Sequence, residues 1–309
     1  MRISRPGLLA GELARAFAAL TALLAQPTWA AEPNGRIESR DGTDGVSKTE
    51  INRKVTDPVS STWSLKIENN IILLDIDGHG ERVQDTVVFQ PTLPLWLTDD
   101  LKVIPRPKLT LLDAQPYTSG GDLHYATGFG DMVLDLVVSP KLGPWLLALG
   151  PTFVFPTASA DQTGQGKWQA GPASVLGYRS PRWLAGIIEQ QWWSFGGSTS
   201  RPTVSELNLQ YLASYFFGDG WSIGTSPVIK VDWRASAGNR VTFPFGPSIG
   251  KVVKLGPESL PVKFELEVLY VPVHPDKNGE TLQIQLNVIP VIPGLVHGLL
   301  LSGAGRSAD

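Results

Sequence analysis

An unbroken alternation of apolar residues and amides over residues 281–290 limits the possible folds more than any other feature. The order of the central residues is Leu282, Gln283, Ile284, Gln285, Leu286, Asn287 and Val288. A repeat of two residues is typical of a strand with one apolar face and one polar face. In a soluble β-sandwich the polar face meets water, whereas in a membrane barrel it lines the lumen and the apolar face meets lipid. The stretch alone leaves both folds open.

The same alternation recurs along the chain, with turn residues between the segments. The clearest repeats are residues 101–112, 130–138, 204–216, 221–233 and 261–271. Together with less regular segments they predict about twelve strands, each near the length that a tilted membrane strand requires.

The connections favour the membrane barrel over the sandwich. Tight turns near 98–100, 140–143, 179–182 and 218–220 alternate with longer polar stretches near 113–127, 157–166, 196–202, 234–239 and 273–280. Most tryptophans fall at predicted strand ends, which is typical of aromatic girdles at two membrane interfaces. We therefore predict an all-β, transmembrane antiparallel up-and-down β-barrel of about twelve strands over residues 62–290, with short periplasmic turns and longer outside loops. A soluble β protein with core tryptophans is the alternative.

The two ends of the chain differ from the barrel region. Arginines followed by the short apolar run 16–25 and by small residues at Thr28 and Ala30 predict a signal peptide over residues 1–30, cleaved near Ala30. Residues 31–61 are polar and without periodicity, which predicts a flexible periplasmic N-terminal arm. Residues 291–309 form an atypical C-terminal tail without a terminal aromatic residue.

Composition limits the compartment and the partners. The chain has 26 Lys+Arg, 29 Asp+Glu and no cysteine, so we expect no nucleic-acid partner and no disulfide framework. The expected location is the cell outer membrane. The expected partners are outer-membrane lipid, the barrel-assembly machinery and a small-molecule solute of unknown identity.

The polar faces of the predicted strands supply the candidate functional residues, which we expect to line the lumen. They are Lys102, Arg106, Lys108, Asp131, Asp135, Glu189, Glu206, Asn208, Gln210, Lys230, Asp232, Lys263, Glu265, Glu267, Gln283, Gln285 and Asn287. Charges of both signs on one wall favour small polar or amphipathic solutes. The basic row of Lys102, Arg106 and Lys108 should shift passage toward anions.

No motif indicates catalysis, a cofactor or a metal. The stretch TGQGKW at 163–168 lacks the first glycine and the final Ser or Thr of a phosphate loop. Asp75, Asp77 and Glu81 lack the register of a calcium loop. His79, His124 and His274 fall in predicted loops, away from a suitably placed serine. We expect no enzyme, no cofactor and no metal site.

Several phrases resemble the outer-membrane barrels of the MetA-pathway phenol-degradation family, of putative-transporter type. They are residues 55–70, 128–135, 150–175, 191–197, 218–233 and 243–256, and their order and spacing match over residues 55–290. The resemblance implies an outer-membrane barrel and an association with the degradation of aromatic compounds, with no defined chemistry.

The sequence therefore predicts an outer-membrane channel or transporter for small solutes, with aromatic and anionic ones as candidates. A structural barrel whose lumen is filled by its own side chains is the first alternative, because twelve strands lie between the filled eight-stranded barrels and the aqueous sixteen-stranded ones. An outer-membrane hydrolase is the second.

Overall fold

The structure is a computed structural model that describes residues 46–255 and 260–292. It contains one α-helix, α1 (Lys48–Thr56), a short 3-10 helix (Ala237–Asn239) and sixteen strand segments. The segments are β1 (Trp63–Ile76), β2 (Gly80–Thr92), β3 (Leu95–Trp96), β4 (Leu101–Ser119), β5 (Asp122–Gly128), β6 (Met132–Pro140), β7 (Trp145–Phe155), β8 (Lys167–Arg179), β9 (Trp183–Gly197), β10 (Ser205–Phe217), β11 (Trp221–Thr225), β12 (Val228–Asp232), β13 (Val241–Phe245), β14 (Ser248–Leu255), β15 (Leu260–Val273) and β16 (Gly279–Ile292).

These segments form one closed antiparallel barrel of twelve strands. Each of the pairs β5/β6, β11/β12 and β13/β14 makes a single interrupted strand of the wall, and β3 is a short addition that pairs with β4. The first strand closes the barrel by pairing with the last, with Ile67 opposite Val288 and Ile71 opposite Ile284. Closure leaves no free sheet edge, which is the condition for a sheet to stand in lipid. The predicted twelve-stranded up-and-down barrel is confirmed.

The face of each strand follows the two-residue repeat. On β16, Gln283, Gln285 and Asn287 line internal cavities, so the intervening Ile284 and Leu286 point outward. Large apolar side chains elsewhere on the wall are exposed in the same way, among them Leu149 at 64%. The polar face of the stretch 281–290 therefore looks into the lumen, and a belt of apolar side chains covers the outside.

Aromatic side chains border this belt at both ends. Trp145 and Trp183 follow tight turns and are more than half exposed, and their rings pack against the outward Tyr178 and Tyr215. At the long-loop end, Trp168, Trp193 and Trp233 are 44–51% exposed. Trp192 differs from the predicted girdle, because it points inward, is buried and donates from Nε1 to Thr152 Oγ1 at 3.0 Å.

Two neighbouring strands of the wall are interrupted at the same level. The breaks lie at Ser226–Pro227, between β11 and β12, and at Gly246–Pro247, between β13 and β14. Proline lacks an N–H and cannot complete the ladder. Neighbouring strands still donate to the carbonyls of the breaks, Tyr211 N to Pro227 at 3.2 Å and Val268 N to Pro247 at 3.1 Å. A side chain supplies a further partner, because Ser226 N donates to Glu267 Oε1 at 2.6 Å. Backbone groups at the breaks are thus satisfied by a mixture of strand and side-chain contacts.

Helix α1 and the hairpin of β4 and β5 differ from the predicted secondary structure. Residues 31–61 were predicted to be a flexible arm, yet residues 48–56 are helical, with Ser47 Oγ accepting from the Glu50 N–H at 3.2 Å. Residues 113–119 and 122–127, expected to form a long loop, continue as paired strands of β4 and β5. The wall begins at Trp63 and its last described residue is Ile292. The predicted signal peptide, residues 31–45 and residues 293–309 lie outside the described residues.

No helix within residues 46–255 and 260–292 is long and apolar enough to cross a membrane.

Because Ile284 points outward and Gln285 points inward, we predict very different losses of stability when each is replaced by Arg. Replacing the outward Ile284 by Arg should lower the free energy of unfolding by about 2–4 kcal/mol, because a cation would then face lipid near mid-strand. Replacing the inward Gln285 by Arg should cost far less. Urea unfolding of barrels folded into vesicles measures both, and equal costs would contradict the assigned faces.

Candidate functional site

One half of the lumen, at the short-turn end, is filled with apolar side chains. They come mainly from β4 and β6–β10 and pack as one buried cluster: Ile104, Val137, Leu146, Ala148, Ala173, Val175, Leu184, Ile188, Leu212 and Phe216. Val59, which lies on the chain between α1 and β1, packs into the same cluster and is 4% exposed. This packing removes apolar surface from water and leaves little open space beside it.

The rest of this end is occupied by residues 47–62, which we call the N-terminal plug. Helix α1 contacts inward side chains of β11 and β15, so it lies inside the barrel. Asn52, which is fully buried, donates from Nδ2 to the Gly220 carbonyl at 2.8 Å and to Ser222 Oγ at 3.1 Å. Lys263 donates from Nζ to Thr56 Oγ1 at 2.9 Å.

The segment between α1 and β1 is held by polar contacts as well. Asp57 pairs with Arg179 at 2.5 Å, and the Asp57 carboxylate is almost fully buried. Lys102 donates from Nζ to Ser61 Oγ at 3.0 Å. Apart from Ile51 and Val59, the buried residues of the plug are polar or carry short side chains. The plug is therefore fixed mainly by hydrogen bonds and ion pairs.

An ion pair at the start of α1 adds a contact to the turn between β10 and β11. Lys48 Nζ lies 2.8 Å from Asp219 Oδ1 and lowers the pKa of that carboxyl group. Because the pKa is lowered in the folded protein, this contact stabilises the fold above the ordinary aspartate range and is lost as the pH falls below it. Both side chains are well exposed, so the contribution is small.

Two adjoining cavities occupy the middle of the lumen and its long-loop half. The smaller, of about 120 Å³, is bounded on one side by plug residues from Lys54 to Ser60. The larger, of about 380 Å³, lies toward the long loops and is lined by charged and amide side chains of many strands. Arg106, Gln210 and Gln285 line both, so they mark the passage from one cavity to the other.

Most of the predicted lumen residues line these two cavities. They are Arg106, Lys108, Asp131, Asp135, Asn208, Gln210, Lys230, Lys263, Glu265, Glu267, Gln283, Gln285 and Asn287. Lys102 contacts the plug. Glu206 lies on the same strand face as Asn208 and accepts from Gln165 Nε2 at 2.7 Å, and Asp232 accepts from the Arg234 N–H at 2.8 Å near the long-loop end.

Glu189 was predicted to face the lumen and does not. Its neighbours Ile188 and Gln190 on β9 both line the larger cavity, so the two-residue repeat turns Glu189 to the outer face. There it is exposed and accepts from Ser174 Oγ at 3.2 Å.

The contribution of β1 and β2 to the site was not predicted from the sequence. Lys66, Glu68 and Asn70 line the larger cavity, together with Gln84 and Gln90 from the next strand. The first three alternate with Leu65, Ile67 and Asn69, so the two-residue repeat was present in the sequence. The plug had no such signal.

The three histidines within the described residues, His79, His124 and His274, do not assemble a catalytic group. His79 lies in the β1–β2 turn with its Nδ1 at 3.1 Å from the Asp77 carbonyl, His124 packs against Tyr117, and the Nδ1 of His274 lies 2.9 Å from the Pro275 carbonyl. Within the described part of the chain, no three His, Asp or Glu side chains are grouped so that they could hold a metal ion.

Comparison with solved structures supports the fold. The COG4313 outer membrane channel from Pseudomonas putida F1 superposes with a TM-score of 0.56 at 14% identity, over 76% of this chain and 97% of that chain. A bacterial polysaccharide outer membrane secretin has a TM-score of 0.35 at 9% identity, over 75% and 99% of the two chains. A BenF-like porin from Pseudomonas fluorescens Pf-5 has a TM-score of 0.28 at 9% identity, over 74% and 98%.

The likeness to the Pseudomonas putida channel is a likeness of fold, and the other two superpose too loosely to add to it. No protein-family profile matches the chain, and no curated protein is similar to it in sequence. The MetA-pathway family suggested by sequence phrases is therefore not confirmed, whereas the outer-membrane barrel architecture is.

Because Glu189 points outward, we predict that replacing it by an apolar residue stabilises the barrel. Glu189→Leu should raise the free energy of unfolding by about 1–2 kcal/mol, because it removes a carboxylate from the face that meets lipid. Glu265→Leu is the matched control and should destabilise, because it leaves the buried Lys263 without its partner at 2.6 Å. Both are measured by urea unfolding in vesicles. A loss of stability in Glu189→Leu would show that its face does not meet lipid.

Proposed function

We propose that this protein is an outer-membrane channel for small solutes, closed at its periplasmic mouth by the N-terminal plug. The observation that carries the proposal is the cavity of about 380 Å³, lined by charged and amide side chains. It adjoins the smaller cavity, which is bounded by a plug held mainly by polar contacts. The volume falls within the range of small-molecule sites, about 300–1,000 Å³.

The barrel fold and the distribution of its loops support this location and orientation. A closed sheet with apolar side chains outside and charges inside suits an outer membrane. The tight turns and the plug would then face the periplasm, and the long loops the outside. A signal peptide cleaved near Ala30 would provide the export, and outer-membrane lipid and the barrel-assembly machinery are the partners this location requires. Membership of the MetA-pathway phenol-degradation type is part of the same proposal as a statement about the type of barrel, and it assigns no aromatic solute to this chain.

The nature of the plug contacts distinguishes a gate from a permanent seal. Asn52, Thr56 and Ser61 meet polar groups of the wall, and water can replace those hydrogen bonds at a modest net free energy, about 0.5–1.5 kcal/mol each. Only Val59 packs into the apolar cluster. A seal meant to stay closed would bury more apolar surface. Opening then joins the larger cavity to the periplasm.

Two other functions fit the site less well. A permanently filled barrel would not need a plug that is held by releasable polar contacts. If the protein is such a barrel, none of the variants used to test the channel will conduct. An outer-membrane hydrolase needs a nucleophile next to a general base. His79, His124 and His274 instead contact backbone carbonyls or an aromatic ring, so we propose that the protein is not an enzyme.

A reversible covalent lock on the plug tests the channel. Because the chain has no cysteine, Asn52→Cys with Ser222→Cys can be joined specifically by a short thiol-reactive cross-linker, and the wild-type side-chain atoms are only 3.1 Å apart. Ion current is measured across planar bilayers before and after cleavage of the link. We expect the joined protein to conduct little and the cleaved protein to conduct at least several-fold more.

The two single-cysteine variants, treated with the same reagent, are the controls and should not respond to cleavage. A second variant, with residues 46–61 deleted, should conduct continuously. If the wild type, the cleaved double variant and the deletion all lack conductance while migrating on gels as folded barrels, the lumen is filled permanently and the channel is refuted.

A further inference from the structure

The carboxylates that line the larger cavity all have hydrogen-bond donors. Glu68 accepts from Lys66 at 2.5 Å, and Glu280 accepts from Lys230 at 2.6 Å. Asp113 accepts from Gln84 Nε2 at 2.9 Å. The remaining two, Asp131 and Asp135, accept from neutral groups, the former from the backbone N–H groups of Ala158 and Gln165 at 3.1 and 2.7 Å. The anions of the cavity are therefore satisfied by the protein itself.

The cations of the barrel wall that line the two cavities are of two kinds. Lys66, Lys230 and Lys263 each pair with a carboxylate within 2.6 Å. Arg106 and Lys108 make neither an ion pair nor a side-chain hydrogen bond to any residue that the structure describes, and the buried Nε of Arg106 has no partner there. Leaving a buried, charged donor without an acceptor destabilises the fold, so this arrangement needs a reason.

The obvious partner of Arg106 is engaged elsewhere. Asp135 lies directly opposite Arg106 on the neighbouring strand. Its Oδ1 accepts from Thr152 Oγ1 at 2.7 Å, and Gln190 Nε2 donates to both carboxylate oxygens at 2.7 and 2.9 Å. Neutral donors thus occupy the carboxylate that could have neutralised the guanidinium. Glu265 and Glu267 line the adjoining smaller cavity with Arg106, but Glu265 pairs with Lys263 and Glu267 accepts from Ser226 N.

The backbone holds Arg106 and Lys108 in register. Both lie on β4, two residues apart and on the same face, with a spacing of about 7 Å along the strand. Pro105 and Pro107 flank Arg106, which restricts the backbone on both sides to extended conformations. Arg106 lines both cavities, so a solute that moves from one to the other passes its guanidinium.

The remaining lining supplies hydrogen-bonding groups more than apolar contact. Eight amide side chains line the larger cavity: Asn70, Gln84, Gln90, Gln190, Asn208, Gln210, Gln283 and Gln285. Among residues 46–255 and 260–292, no Phe, Tyr or Trp side chain lines it. Amides both donate and accept, so they match the hydroxyl groups of a solute. An aromatic solute would meet no aromatic side chain among these lining residues, so its ring could stack only on the Arg106 guanidinium.

From these contacts we infer that Arg106 and Lys108 bind the carboxylate of a small hydroxylated acid on its way through the lumen. The guanidinium supplies a two-point contact to the carboxylate, Lys108 adds a second cation, and the amides take the hydroxyl groups. The inference rests on the proposed channel, because the bound solute is the one that passes. It selects hydroxylated acids over phenols and other aromatic compounds.

Calorimetric titration of the purified, detergent-solubilised full chain tests the site, with sodium gluconate as the probe. We expect gluconate to bind the wild type and to bind Arg106→Gln at least tenfold more weakly, since a charged hydrogen-bonded contact is lost. Arg106→Lys keeps the charge without the two-point geometry and should fall between them. Lys141→Gln removes a cation from an exposed turn outside the lumen and should bind as the wild type does.

Two further probes separate the parts of the claim. Sorbitol has the hydroxyl groups without the carboxylate, and benzoate has the carboxylate without the hydroxyl groups, so both should bind at least tenfold more weakly than gluconate. Heat-modifiable migration on gels shows that each variant is folded. Equal binding of gluconate by the wild type and Arg106→Gln, or no binding by the wild type, overturns the site, and benzoate binding as tightly as gluconate overturns the hydroxylated class.

Titration does not depend on opening of the plug, so the two proposals fail separately. Conductance without gluconate binding refutes the acid site and leaves the channel. Gluconate binding by a protein that never conducts refutes passage, and with it the role of the site in passage.

Discussion

The pairing of β1 with β16 is the interaction on which the rest of the structure depends. It turns a twelve-stranded sheet into a wall without edges, so that backbone donors and acceptors find partners where water is absent. Once the sheet is closed, every strand has an inside and an outside. The charges of β4 and β15 and the amides of β16 then share one compartment, although they are far apart in the sequence.

That constraint explains what could be predicted from the sequence. The two-residue repeat predicts directly that Gln285 on β16 and Asn208 on β10 point into the lumen, since a strand has only two faces. It fails where both faces carry polar groups. On β9, Glu189 and Gln190 are adjacent, and only the neighbouring strands decide which one turns inward. Trp192 shows the same ambiguity, because an indole near a strand end can belong to an aromatic girdle or fill the lumen.

The sequence offers one signal for helix α1, the Ser-Lys-Thr-Glu pattern of a capping box at residues 47–50, and nothing that places this helix inside the barrel. The helix is short and polar, and isolated helices of this length are marginal in water. Its stability comes from contacts with Gly220, Ser222 and Lys263, which lie roughly 170–207 residues away in the sequence. The carboxylate pairing around Arg106 was equally out of reach, because strand spacing shows which charges share a face but does not show which of them meet.

The short connection between α1 and β1 has a consequence for how the mouth would close again. Residues 57–62 form the whole link, and a fully extended chain of this length spans only about 20 Å. A released helix therefore stays tethered beside the opening that it left, at an effective concentration in the millimolar range. If the plug opens as proposed, its return is a unimolecular event that does not depend on how many copies the membrane holds, and weak individual contacts are then enough to hold the mouth closed.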